Sequence, residues 1–249
     1  MRGDMSKWTV LRLSGLDTHK FLNDLITNDL SGIADGLVYA ALLTPQGKYL
    51  FDFFLSSNGD DILMDVLSSR ATALVQRLTM YKLRADVTIS HSGLHVHRGL
   101  GKASVSAFVD PRHNALGWRM YANEMQVGDA VDWNAIRVEH CIPEAEAELI
   151  ADGSYILESD FERLNGVDFG KGCYVGQEVT ARMKHKTELR KGLQSVAISR
   201  EVPMGTEILA DGKLAGAMYT QAEGKGIAYL RFDRCKREMT AGDAVVTLS

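Results

Sequence analysis

Apolar and polar residues alternate through Trp8-Thr9-Val10-Leu11-Arg12-Leu13, the two-residue period of a half-buried strand. Ser14-Gly15 turns the chain, and Asp17 is placed to cap a helix over 18–25 whose apolar face is Phe21, Leu22 and Leu25. Asn28-Asp29 and Ser31-Gly32 end that helix. Residues 37–43 form an apolar run of strand length, followed by Thr44-Pro45-Gln46-Gly47, a tight turn with proline at its second position. Residues 49–55 return as the second arm of a hairpin, and a further strand over 62–67 follows the turn Asn58-Gly59-Asp60. Ser68 or Ser69 is placed to cap a helix over 71–81 with Leu74, Val75 and Leu78 on its apolar face. Val87-Thr88-Ile89 is strand-like again.

The order strand, hairpin, helix, strand predicts an α+β unit of ferredoxin-like character. Residues 94–109 hold short strand-like pieces around Gly99 and Gly101, Asp110-Pro111-Arg112 turns, and 117–121 reads as a strand. Asp132 or Asn134 starts a helix over 135–141, which stops before Pro143. Asp152-Gly153 turns into a polar connector containing Glu158, Asp160 and Glu162. After Lys191 the helical pattern ceases. Short strands are expected over 193–198, 207–210, 214–220, 227–232 and 244–248, with Asp211-Gly212 as a two-residue hairpin signal. They predict a small antiparallel barrel or sandwich appended to the α+β part.

Composition narrows the function classes. A chain of 249 residues with 45% apolar and 24% charged residues has the balance of a globular protein. Its net charge of −4 argues against a general nucleic-acid binder, so no stable nucleic-acid binding is expected. Cys141, Cys173 and Cys235 are too far apart for a Cys-x-x-Cys pair, and their odd number suits reduced thiols better than a disulfide framework. No metal site is expected, the closely spaced His91, His95 and His97 lacking an acid or cysteine at matching spacing. The opening Met1-Arg2-Gly3-Asp4 leads into no apolar signal region, and no apolar run approaches the ~20 residues of a membrane span. The default expectation is a cytoplasmic protein without membrane contact.

Candidate chemistry is concentrated in Phe169-Gly170-Lys171-Gly172-Cys173-Tyr174-Val175-Gly176-Gln177-Glu178. Glycines at this density let the backbone take positive φ and approach another segment closely. Lys171 is a cation two residues before Cys173, able to favour a thiolate, and the helical pattern of Val179, Ala181 and Met183 puts the thiol ahead of a helix start. The alternative is a plain turn with a small buried cysteine. The basic run Arg182, Lys184, His185, Lys186, Arg190 and Lys191 is either a solvated helix face or an anion site for a polyglutamate tail or an RNA.

Lys171-Gly172-Cys173-Tyr174-x-Gly176-Gln177-Glu178 resembles the signature of YgfZ-type folate-binding proteins, relatives of the glycine cleavage T-protein that act in iron–sulfur cluster assembly or repair. Leu13-Ser14-Gly15-Leu16-Asp17, Phe21-Leu22, Thr27-Asn28-Asp29, Leu43-Thr44-Pro45-Gln46-Gly47-Lys48, Arg137-Val138-Glu139 and Ile142-Pro143-Glu144 follow in the order those families share. The resemblance implies a T-protein-like α+β fold with a C-terminal antiparallel β-barrel. It divides the chain into a folate-binding region over 1–191, with interleaved subdomains bounded near 30 and 125, and a barrel over 192–249.

It also implies a site. Glu139 is the pterin contact, because a carboxylate can accept two adjacent pterin N–H groups, and Arg137 is its positioning partner. Asp52 stands in Phe51-Asp52, where T-proteins carry two adjacent acids, and Gln177 and Glu178 complete the folate-side candidates. Cys173, Lys171 and Asp52 are the candidates for chemistry. One departure is Cys141, where the family often has glycine. The implied function is a monomeric accessory factor that binds tetrahydrofolate or a one-carbon derivative. It would serve iron–sulfur client enzymes, such as radical enzymes that methylthiolate tRNA, or assembly proteins. The enzymatic alternative is an aminomethyltransferase-like one-carbon transferase.

Overall fold

The computed structural model describes residues 7–124, 130–186 and 188–248. The opening at Met1-Arg2-Gly3-Asp4 and the expected boundary near 125 lie outside the described residues. Contacts divide the chain into two compact units: Met1–Val131 with Glu162–Gln177, and Asp132–Phe161 with Glu178–Ser249.

The first unit begins with β1 (Trp8–Ser14), α1 (Thr18–Asn23), a 3-10 turn (Leu30–Ala34), β2 (Val38–Leu43), β3 (Tyr49–Asn58), β4 (Asp61–Leu67), α2 (Ser68–Lys82) and β5 (Thr88–His91). The strands form one antiparallel sheet in the order β2-β3-β4-β1-β5. Alternate residues point to opposite faces, so Leu11, Leu13, Ala40, Leu42, Phe51, Phe53, Met64 and Val66 gather on one side. There they meet Leu22 of α1 and Leu74 and Leu78 of α2. Leu74 is fully buried, and Leu74→Ala would cost about 2–5 kcal/mol. β6 (His95–Gly99), β7 (Phe108–Val109) and β8 (Trp118–Ala122) make a separate three-stranded sheet, order β6-β8-β7.

Two capping expectations fail. Asp17 makes no capping bond to α1; its Oδ2 accepts instead from the Asp86 N–H at 2.7 Å. Neither Ser68 nor Ser69 stands ahead of α2, which starts at Ser68 with Leu67 in the cap position and no side-chain cap. Tertiary pairing decides both, because Ser68 Oγ lies 2.8 Å from Thr9 Oγ1 on β1.

In the second unit Asp132 is the cap of α3 (Trp133–Glu139), accepting from Asn134 and Ala135 N–H groups at 3.0 Å. The helix ends with Cys141 N–H donating to Val138 O and Ile142 N–H to Arg137 O, which places Cys141 at φ +49. This paired closing motif favours glycine, which explains why a cysteine there departs from the usual choice. After α4 (Gln177–Lys186) come β9 (Lys191–Ile198), β10 (Glu207–Ala210), β11 (Lys213–Ala222), β12 (Lys225–Arg231), β13 (Glu238–Ala241) and β14 (Ala244–Leu248). These six strands close into an antiparallel barrel, β10-β11-β12-β9-β14-β13, which resolves the choice between barrel and sandwich. The hairpin β10–β11 turns on Asp211 and Gly212, both at positive φ as a two-residue turn demands. Sequence patterning misses β13, whose Glu-Met-Thr-Ala is too short and polar to stand out. The barrel interior holds Val196, Ile208, Met218, Leu230 and Val246, and α3 packs Val138 on the outside against Leu193 and Ile227.

Candidate functional site

The Cys173 loop is held to its unit at several points. Thr27 Oγ1 donates to Gly166 O at 2.6 Å, and Thr27 O accepts from Asp168 N–H at 3.0 Å. Asn28 Nδ2 donates to Tyr39 O at 2.9 Å and to Asn165 O at 2.8 Å. Lys171 Nζ, buried, donates to Asn23 O, Ile26 O and Asn28 O at 2.8, 2.7 and 2.9 Å. An ammonium has three N–H donors, so all of them go to backbone carbonyls. Burial pushes Lys171 down to about 8, with the Asp29 and Asp168 carboxylates opposing. Its ammonium also lies 5.3 Å from the centre of the Tyr174 ring.

The far end is fixed by close approach. Gly176 has φ +85, and a Cβ there would stand 2.6 Å from Thr44 O and 3.1 Å from Gly47 Cα. No side chain fits between this loop and the β2–β3 turn. Gln177 Nε2 folds back to Gly172 O at 3.3 Å. Between the two anchors Cys173 is exposed and Gly172 is open. Lys171 thus fastens the loop, and the thiol stands out from it. Glu178, at the start of α4, is exposed.

Asp52 lies on β3 opposite Ala41 and accepts from Tyr39 Oη at 2.9 Å and Tyr49 Oη at 2.6 Å. Burial and then the Asp52 charge push both phenols well above their ordinary range. On the same sheet face, register aligns Tyr39, Phe54, Asp65 and Val10 across β2, β3, β4 and β1. A buried ion network covers that row: Arg119 donates to Asp65 at 2.5 Å and to Asp110 at 3.4 Å, and Arg112 grips Asp110 through two bonds of 3.0 and 2.8 Å. Burial pushes Asp110 upward, but the Arg112 guanidinium outweighs it and holds the acid at about 2. Burial raises Asp65. The Arg119 guanidinium lies 3.9 Å from the centre of the Phe54 ring. Sequence reading missed these ions; the signal was one acid in the otherwise apolar run 62–67.

In the second unit Glu139 and Arg137 have different surroundings. Arg137 is buried: Nη1 donates to Ile142 O and Glu148 Oε2, and Nη2 to Asn134 Oδ1 and Thr220 Oγ1. Glu148, which sequence reading passed over, also accepts from the Glu144 and Thr220 N–H groups. The pair locks α3 to β11. Glu139 is exposed and meets Lys225 Nζ at 2.5 Å, which lowers its carboxyl below the usual range.

Among the described residues no group of three or more His, Cys, Asp and Glu could hold a metal ion. His97 is buried with Nε2 3.0 Å from Glu124 O, while His91 is exposed. In the basic run Arg182, Lys184, His185, Lys186 and Arg190 are exposed and Lys191 half-buried.

The chain is 31% identical over 273 residues to the mouse iron–sulfur cluster assembly factor IBA57, mitochondrial, covering 91% of this chain and 76% of the relative. Against the human IBA57 factor it is 31% identical over 272 residues, covering 92% and 76%. The chain belongs to the IBA57 family of iron–sulfur cluster assembly factors. Its last strands match the family described as CAF17, C-terminal beta-barrel domain, over residues 190–249. The fold is that of the glycine cleavage T-protein: aminomethyltransferase T from Bartonella henselae superposes with a TM-score of 0.75 at 13% identity, covering 98% of this chain and 84% of that one. The iron–sulfur cluster assembly family and the T-protein-like fold implied by the resemblance are borne out, and the relatives found are IBA57 factors. The cytoplasmic default is corrected, because these IBA57 relatives are mitochondrial by name. Reduced thiols and globular composition suit any reducing compartment and do not distinguish the two.

Proposed function

We propose that the protein is a tetrahydrofolate-binding, monomeric accessory factor in iron–sulfur cluster assembly or repair, with Cys173 as the residue that engages cluster iron or a sulfur species. The observation that carries the reading is the exposed thiol on a loop fastened by Lys171 on one side and Gly176 on the other. One cysteine gives one ligand, and clusters are usually held by four. The remaining ligands come from an assembly protein or client, among them radical enzymes that methylthiolate tRNA. Glu139 holds the pterin N–H edge, Lys225 keeps that carboxylate ionised, and Arg137 with Glu148 fixes the helix that carries it. Asp52, Gln177 and Glu178 are the other folate-side candidates.

The test is a Cys173→Ser chain in a strain lacking the protein. Cluster-enzyme activity stays at the deletion level if the proposal holds, and full restoration removes Cys173 from it. Folate is tested separately, by titrating tetrahydrofolate against intrinsic tryptophan fluorescence in the wild type and Glu139→Gln; no response in the wild type removes the folate. Aminomethyl transfer, the second reading, rests on Asp52 and predicts ammonia release from a loaded lipoyl carrier with tetrahydrofolate.

A further inference from the structure

His95 and His97 lie two positions apart on β6. Successive side chains of a strand point to opposite faces, so these two imidazoles share one face of the three-stranded sheet. The antiparallel ladder sets Ala122 opposite His95 and Met120 opposite His97 on β8. Directly opposite residues have Cβ atoms about 4.5–5.5 Å apart. A thioether therefore stands beside the second imidazole, and only a methyl group beside the first. Val96 and Tyr121 take the other face, where they pack with Trp8, Val10, Leu63 and Leu94. Sequence patterning sets the histidines aside for want of an acid or cysteine; the ladder supplies a sulfur instead.

These donors are held in place. His97 is only 6% exposed, and its Nε2 lies 3.0 Å from Glu124 O. A carbonyl oxygen only accepts, so Nε2 carries the proton and Nδ1 the lone pair. Among the described residues nothing bonds to Nδ1. An imidazole fixed by a backbone carbonyl through its other nitrogen is the usual state of a metal ligand. Met120 is fixed as well. Ser104 Oγ and Ser106 Oγ lie 3.3 and 3.4 Å from its Sδ and 3.2 Å from each other. One hydroxyl proton bridges the two serines and the other goes to the sulfur, which keeps a second lone pair. His95 and Met120 are half-buried, so solvent reaches this face.

We propose that His95, His97 and Met120 bind a soft, singly charged metal ion, copper(I). Two imidazoles and a thioether are neutral donors, and among the described residues no Asp, Glu or Cys completes a triad with the histidines. A divalent ion there would keep its whole charge in a half-buried place, which is costly without a carboxylate or thiolate to offset it. Thioether sulfur selects copper(I), and imidazole suits copper in either state. Zinc sites draw on thiolate, imidazole and carboxylate rather than thioether. The site uses none of the residues assigned above to cluster or folate chemistry, and it stands or falls apart from them.

The test titrates the full chain anaerobically with copper(I) from a chromophoric chelator, in a Cys173→Ser background so that the exposed thiol does not capture the ion. One equivalent should bind, with two nitrogens and one sulfur around copper by X-ray absorption. In a chain labelled with ¹³C at its methionine methyls, that equivalent should move the Met120 signal, assigned by its loss in Met120→Leu. His95→Asn should weaken copper(I) at least about tenfold, since even a residue behind a ligand is worth that much. Met120→Leu, similar in volume, should weaken it severalfold and remove the sulfur. His97 is buried and its variants risk the fold, so these two half-buried positions carry the test. An unmoved Met120 methyl, or unchanged affinity in both folded variants, overturns the proposal. So does an all-sulfur shell, which assigns the ion to Cys141 or Cys235, or zinc(II) bound more tightly than copper(I).

Discussion

Lys171 and Asn28 meet across 143 residues of chain, Lys171 Nζ donating to Asn28 O at 2.9 Å while Asn28 Nδ2 holds Asn165 O at 2.8 Å. Each residue thus fastens the other's segment. Lys171→Met leaves three carbonyls without their donor and should cost about 1–3 kcal/mol. Hydrogen exchange and limited proteolysis should show the loosening confined to residues 165–176, and an unchanged loop would assign the anchoring elsewhere.

Gly176→Ala places a methyl group 2.6 Å from Thr44 O at φ +85. The loop must shift or the turn must open, at about 1–3 kcal/mol. Urea unfolding measures the loss, and Gly172→Ala, at an open position, is the matched control.

Asp110 supplies a pH signature. Its folded value of about 2 lies below the ordinary 3.8, so its contribution is complete above about 4 and is lost as pH falls toward 2. That difference corresponds to roughly 2 kcal/mol. Asp65, raised by burial, acts in the opposite sense. Asp110→Asn should remove the acid-side loss and, by leaving Arg112 and Arg119 poorly paired, cost about 3–5 kcal/mol at pH 7. Thermal melts from pH 2 to 7 read both effects.

Glu139 and Glu148 separate binding from stability. Glu139→Gln, at an exposed position, should change stability by less than about 0.5 kcal/mol. Under the folate proposal it weakens tetrahydrofolate about tenfold or more, the worth of a charged hydrogen bond. Glu148→Gln disturbs the buried partner of Arg137 and should lower the melting temperature of the second unit.

Local patterning made much of this molecule legible. The period of α2, the Thr44–Gly47 turn and the Asp211-Gly212 hairpin needed only short-range chemistry. The glycine-rich octapeptide was also visible, but the work of its lysine was not. Three carbonyl acceptors on a distant turn leave no trace around residue 171. Asp65 and Arg119 stayed hidden for a related reason: each sits in a strand whose pattern signals apolar burial, and only the facing sheet supplies the countercharge. Asp17 shows the converse, a good local capping signal overridden by the backbone of Asp86.

The chain leaves its first unit after Val131 and returns for residues 162–177 before leaving again. The carbonyls that receive Lys171 are therefore made long before the lysine itself. At 5–20 residues per second, roughly 7–30 s of synthesis separate Asn28 from Lys171. Until then the first unit has no closing segment and displays no Cys173. The thiol reaches its fastened loop only after α3 has been made, so order of synthesis keeps Cys173 off a first unit that still lacks its closing segment.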